Sequence, residues 1–135
     1  MSTAIRYYTK GGNTEKLAKA VEEVVGIKAM TVDEPLTENV DVLLLGCSYY
    51  AFDMDPEVKK FIADNKEKIG KIVLFGTSAM IKSMKKPLKN LLGELKVDIE
   101  IADEYHCPGS FGPMHKGRPN ADDIAGVKEF AKKFA

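Results

Sequence analysis

The 135-residue chain predicts an α/β fold: a doubly wound, five-stranded parallel sheet of order 2-1-3-4-5 in a three-layer α/β/α arrangement. Three observations predict it. Strand-like and helix-like runs alternate strictly, which selects parallel strands joined by right-handed crossovers. The third and fourth strand runs, Asp41–Ser48 and Lys71–Ser78, are nearly continuous apolar stretches, as expected of strands covered on both faces. The second is short and mixed and the fifth alternates, so these two belong at the edges.

Each element follows from its own pattern. The first strand, Ala4–Tyr8, is apolar and aromatic apart from Arg6, whose stem can pack while its head reaches a carboxylate or the sheet rim. In the helical run Glu15–Val25, Leu17, Val21, Val24 and Val25 recur on one side, and if the turn before it is a plain connection, Asn13 or Thr14 is its N-cap. A short second strand, Ile27–Val32, precedes the third. Asp55-Pro56 is then a cap followed by proline at the first helical position, and Val58, Phe61, Ile62 and Ile69 form the apolar stripe. After the fourth strand, Pro87 starts or kinks a helix burying Leu88, Leu91, Leu92 and Leu95. The fifth strand, Val97–Tyr105, alternates Val97, Ile99 and Ile101 with Asp98 and Glu100. Asn120 caps the last helix, with Ile124, Val127, Phe130, Ala131 and Phe134 facing inward. No repeat or low-complexity linker interrupts the series, so residues 1–135 are expected to form one domain.

Composition narrows the function. Lys+Arg and Asp+Glu stand at 20 each, and no basic cluster is expected to gather on one predicted face. Neither a nucleic-acid nor a membrane partner is therefore expected. No apolar run approaches the ~20 residues of a membrane helix. Met1-Ser2-Thr3 leads straight into a strand, so no signal peptide is expected. Cys47 and Cys107 lack paired spacing, which disfavours disulfide or zinc frameworks and makes a cytoplasmic location the expectation.

Thr9-Lys10-Gly11-Gly12-Asn13-Thr14 carries the most chemistry. A strand turning through two glycines into a helix start suits a phosphate. The backbone can approach closely, the helix N-terminus adds free N–H groups and dipole, and the flanking threonines and Asn13 add donors. The plain alternative is a tight connecting turn. The loop lacks Gly-x-x-x-x-Gly-Lys-Ser/Thr and Gly-x-Gly-x-x-Gly, which argues against triphosphate and dinucleotide loops. No cysteine follows the strand, which excludes a thiolate phosphatase, and no acidic pair marks a phospho-acceptor.

Three later segments meet the same rim. Ser48-Tyr49-Tyr50-Ala51-Phe52-Asp53 has aromatics that can stack on a flat ring or simply plug the gap between sheet and helix. Gly76-Thr77-Ser78-Ala79-Met80 offers hydroxyls and small residues, or merely ends a strand. The long loop His106–Pro119 is of functional length. Its His106, Cys107 and His115 match no standard metal spacing and have no evident fourth ligand. No Gly-x-Ser-x-Gly turn or paired-carboxylate motif supports hydrolysis, so the segments hold and cover rather than catalyse.

Together these residues resemble a flavodoxin. Tyr7-Tyr8-Thr9-Lys10-Gly11-Gly12-Asn13-Thr14 is similar to the family's phosphate signature: Thr9, Gly12, Asn13 and Thr14 match, and Gly11 replaces a hydroxyl residue. The resemblance covers the whole chain in strand order and fits the short form of the family. Flavodoxin is itself the worked example of the rule that a ligand sits where the strand order reverses, between strands one and three.

The resemblance implies FMN, electron transfer between redox partner proteins, and a monomer or weak homodimer. Thr9, Lys10, Gly11, Gly12, Asn13 and Thr14 would hold the phosphate. Ser48, Tyr49, Tyr50, Ala51 and Phe52 would line one side of the isoalloxazine, and Thr77, Ser78 and Ala79 another. No catalytic residue is implied, and no metal. A small FMN-dependent NAD(P)H:quinone or flavin reductase, or a flavin-free module of the same fold, is the alternative. Two departures stand out: the chain is neutral where the family is usually acidic, and Tyr49–Asp55 lacks the glycine of the family's flipping turn. The second implies weak stabilisation of the one-electron-reduced flavin.

Overall fold

The computed structural model describes residues 2–49, 54–78, 83–109 and 117–135. The elements run β1 (Thr3–Tyr7), α1 (Asn13–Val25), β2 (Ala29–Thr31), β3 (Val40–Tyr49), α2 (Pro56–Asn65), β4 (Ile69–Ser78), α3 (Lys85–Glu94), β5 (Glu100–Pro108) and α4 (Ala121–Ala131). The sheet has the expected order β2-β1-β3-β4-β5, and all four pairings are parallel. One apolar layer joins Leu17, Ala18 and Val21 of α1 with Val127 and Ala131 of α4. The opposite layer joins Val58, Phe61 and Ile62 of α2 with Leu88, Leu91 and Leu92 of α3. The central strands are buried on both sides, with Ile5, Leu43, Leu44, Leu45, Ile72 and Leu74 at most 1% exposed.

Several boundaries differ from the sequence expectation for identifiable reasons. The last strand begins at Glu100 rather than Val97 because Val97 is spent closing α3. Its N–H donates to Leu92 O (3.1 Å), while Lys96, at φ 58°, donates to Gly93 O (3.2 Å). That is the two-bond reversal that ends many helices, with lysine where glycine is usual. Further on, β5 carries a bulge: Ile72 pairs with Ile101 but Val73 with Asp103, leaving Ala102 extra. The bulge reverses the alternation. Ile99 and Ile101 pack on the α2/α3 layer, whereas Tyr105 and Cys107 pack on the α1/α4 layer.

Pro87 is the third residue of α3, inside the first turn, where a missing N–H costs no helical bond. Asn120 and Asp123 form a reciprocal capping box at α4. Arg6 lies on the α2/α3 side of β1. Its guanidinium donates to Glu34 O (2.8 Å), Pro35 O (3.2 Å) and Ile5 O (3.0 Å), so its head holds backbone carbonyls of the β2–β3 connection. Burial lowers its pKa from the ordinary arginine value, with the Glu34 charge opposing.

Candidate functional site

Parallel strands bring the chain back to one rim. Tyr7 pairs with Gly46, Tyr49 with Ser78, and Ser78 with Pro108. β3 therefore runs three residues past the end of β1, and the turn leaving β1 sits beside that overhang. The turn closes on itself: Gly12 N–H donates to Thr9 Oγ1 at 2.9 Å. An oxygen that accepts still has its own O–H to donate outward.

Gly12, at φ 88°, occupies the N-cap position of α1, and among the described residues no side chain caps the helix. The expectation of Asn13 or Thr14 as the cap is thus corrected. The chain needs a left-handed residue to turn from β1 into the helix, and glycine adopts that conformation without strain. Among the described residues, a Cβ built on Gly11 or Gly12 would meet nothing within 4 Å.

Beneath the turn three hydroxyls from three elements converge. Thr14 Oγ1 lies 2.8 Å from Ser48 Oγ and 3.3 Å from Thr77 Oγ1. All three residues are buried, at 0%, 4% and 3% exposure. Thr14 therefore works from below, tying the start of α1 to β3 and β4, rather than from the face of the turn. Three O–H hydrogens share two contacts, so the cluster keeps at least one donor for another acceptor.

Lys10 reaches across to α2, with Nζ 3.6 Å from Asp55 Oδ2, while Asp55 Oδ1 caps α2 by accepting from Glu57 N–H. Asp55 was legible only as a cap; its approach to the turn comes from the fold. In the sequence Gly109 is one of several glycines in the long His106–Pro119 loop. Its N–H donates to Ser78 O (3.0 Å), and a Cβ there would lie 2.8 Å from Thr77 Cβ and 3.1 Å from Asn13 Nδ2. The end of β5 thus presses directly on the hydroxyl cluster, which no local pattern could reveal.

Thr77 and Ser78, adjacent in β4, point to opposite faces. Thr77 joins the hydroxyl cluster, and Ser78 Oγ meets His106 Nε2 at 2.5 Å on the α2/α3 side. His106 and Cys107 likewise diverge, so they do not converge on a common ion. His115 lies outside the described residues, and among the described residues no group of three His, Cys, Asp or Glu could hold a metal. Both thiols are buried and unbridged. Burial, with Asp123 adding, pushes Cys107 up to about 12, and burial with Glu104 raises Cys47 further, so both stay protonated and unreactive. The structure brings together Thr9, Gly12, Asn13, Thr14, Ser48 and Thr77, with Lys10 and Gly11 on the exposed side of the turn. Ser78 stands on the other face. Tyr49 ends β3; Tyr50, Ala51, Phe52 and Ala79, most of the glycine-free Tyr49–Asp55 segment, and residues 110–116 of the long loop lie outside the described residues.

Fold and site define the class first: a doubly wound α/β protein of flavodoxin-like topology, with an uncapped helix start at the point where strand order reverses. The chain belongs to the flavodoxin domain family, whose model matches residues 4–118. It is 31% identical, over 136 residues, to an uncharacterised protein of Methanocaldococcus jannaschii, covering 90% of this chain and 89% of that one. Among solved structures it is similar to a flavodoxin from the domain Archaea, with TM-score 0.77 and 13% identity over 100% of this chain and 96% of that one. It is also similar to a flavoprotein from Lactobacillus acidophilus determined in complex with FMN, with TM-score 0.58, 17% identity, and coverage of 78% and 92%. At these identities the structural likenesses show the fold. Among the described residues no helix is long and apolar enough to cross a membrane.

Proposed function

We propose that the protein binds FMN and carries electrons between redox partner proteins. The observation that carries this reading is the combination at the β1–α1 turn. Among the described residues, a helix start without a side-chain cap stands over three buried hydroxyls joined through Thr14, and two glycines keep side chains off the face of the turn. Such a cradle fits a phosphate monoester, and membership of the flavodoxin family supports FMN as the molecule that bears it.

In this reading the first-turn N–H groups of α1 and the outward O–H of Thr9 donate to the phosphate. Lys10, already drawn toward Asp55, adds positive charge, and Asn13 adds an amide donor. Thr14, Ser48 and Thr77 brace the turn from beneath. The bound flavin would supply the redox chemistry, while this chain's rim residues position and cover it.

Titration of the flavin-free protein with FMN and with riboflavin tests the reading. Quenching of flavin fluorescence should give FMN an affinity roughly 100-fold above riboflavin, the equivalent of about 2.7 kcal/mol for the phosphate. Equal affinities, or no binding of either, would overturn it. Oxidation of NAD(P)H by the FMN-loaded protein with no partner present would replace the carrier by a reductase.

A further inference from the structure

The balanced total charge conceals an unbalanced distribution. Residues 29–58 contain seven acids and no lysine or arginine, whereas residues 59–96 contain ten lysines and three acids. The expectation that basic residues would not gather on one face therefore fails at α3. Lys85, Lys86 and Lys89 are all exposed on its first two turns, and among the described residues none of them enters an ion pair. By contrast, Lys60 on the neighbouring α2 is matched by Asp64 at 2.9 Å.

Position makes this patch more than a solvated face. α3 follows β4, so its N-terminal end opens beside the rim on which Thr77 and Ser78 stand, and its helix dipole adds positive potential at that end. Two acids stand nearby. Asp103 is paired with Lys133 at 2.8 Å and also feels the charge of Lys85, and Glu104 accepts from Ser83 Oγ and Met84 N–H, each at 2.7 Å, so three lysines face two carboxylates, one of them already matched.

We infer that the α3 face is a docking surface for a small acidic electron-transfer protein, which would bring that partner's redox centre to the rim. This rests on the reading of the chain as an electron carrier. Complementary charge at a rim steers encounter and fixes orientation, an effect that salt weakens. A protein partner fits better than nucleic acid. The patch has three lysines with no arginine or aromatic among them, and the acid-rich 29–58 stretch would repel a long polyanion.

The test uses the full chain, with and without FMN, against two probes of opposite charge: a strongly acidic [2Fe–2S] ferredoxin and a basic c-type cytochrome. At about 20 mM salt the ferredoxin should bind, and at about 200 mM binding should weaken by about tenfold or more. Carbodiimide cross-links should map to Lys85, Lys86 and Lys89. The triple variant K85E/K86E/K89E should lose binding by at least about tenfold. K16E/K19E/K28E, which makes the same change in net charge at exposed sites away from α3, should stay within about threefold of the parent. Preference for the cytochrome, equal losses in the two triple variants, or equally tight binding of duplex DNA or phosphatidylserine vesicles through these lysines would overturn the proposal. FMN uptake without ferredoxin binding would remove the docking surface and leave the cofactor reading standing. Ferredoxin binding at α3 without FMN uptake would remove the electron-carrier reading, and the choice of partner with it.

Discussion

Helices α1 and α4 pack on the same face of the sheet, yet they begin in opposite ways. At α4 the protein saturates its own helix start. Asn120 Oδ1 accepts from Asp123 N–H (3.0 Å), Asp123 Oδ2 accepts from Asn120 N–H (2.8 Å), and Arg118 holds both Asp123 oxygens at 2.6 and 2.7 Å. At α1 the equivalent position is Gly12, whose N–H donates to Thr9 Oγ1, and among the described residues no side chain caps the helix. α2 also uses a protein carboxylate, from Asp55. α3 has no side-chain cap, although Glu104 accepts from the N–H of its cap residue Met84. Two helix starts are thus capped by the protein's own side chains, while α1 stands at the strand-order switch with glycines around it. The contrast with α2 and α4 teaches that a terminus suited to an anion combines a missing side-chain cap with a place at the switch point.

The most damaging way to break the contrast is to give α1 an acid of its own. Gly12→Asp should lower FMN affinity by roughly 100-fold or more, because a carboxylate beside a phosphate costs several kcal/mol. Gly12→Asn, neutral and tolerant of positive φ, should lose much less. Fluorescence titration of both variants checks this, and equal losses would show that backbone strain, not charge, decides.

Removing the acid from α4 comes next. Asp123→Asn should destabilise the fold by about 2–3 kcal/mol in denaturant titration, leaving the preference for FMN over riboflavin unchanged. The parent should also lose stability in acid. Arg118 holds the Asp123 carboxyl below the usual carboxylate range, mainly through its hydrogen bonds. The folded state therefore sheds this proton more readily than the unfolded one. Its stabilisation is present above an ordinary aspartate pKa of about 3.9 and disappears as pH falls through the lower folded value. The Asn variant should show a shallower acid dependence.

Two smaller changes sharpen the comparison at α3. Glu104→Ala removes the acceptor of the Met84 N–H at the start of α3 and leaves Ser83 without that partner, and should cost about 1 kcal/mol. At the other end of the same helix, Lys96→Gly relieves a lysine at φ 58° and should raise stability by about 0.5–1 kcal/mol. Thermal melts of both variants resolve effects of this size.

These termini also show where sequence reading succeeds and where it stops. The caps of α2 and α4 are legible because Asp55 and Asn120 bond within a few residues of themselves. The carboxylate contact at the start of α3 is not, because Glu104 stands 20 residues from Met84 along the chain and is aimed at α3 by a bulge that no alternation pattern announces. The strand order was readable from the apolar third and fourth strands. The fifth strand slipped by three residues because Val97 is as good a strand former as a helix-closing contact. At the site, the Thr9–Thr14 turn was visible as a motif. Its support by Ser48 and Thr77, and the pressure of Gly109 on Asn13, arise only when β3, β4 and β5 are laid side by side. Arg6 looked anomalous in a central strand because its acceptors, the carbonyls of Glu34 and Pro35, carry no side-chain signature.

The pair of sequestered thiols has a practical corollary. Cys47 lies in the layer under α2 and α3, and Cys107 in the layer under α1 and α4. An alkylating reagent should be silent toward the native molecule and should tag each sulfur only when its own layer opens. Mass analysis of the tagged peptides would then time the exposure of the two halves separately, turning the wild-type sequence into its own two-channel reporter of unfolding.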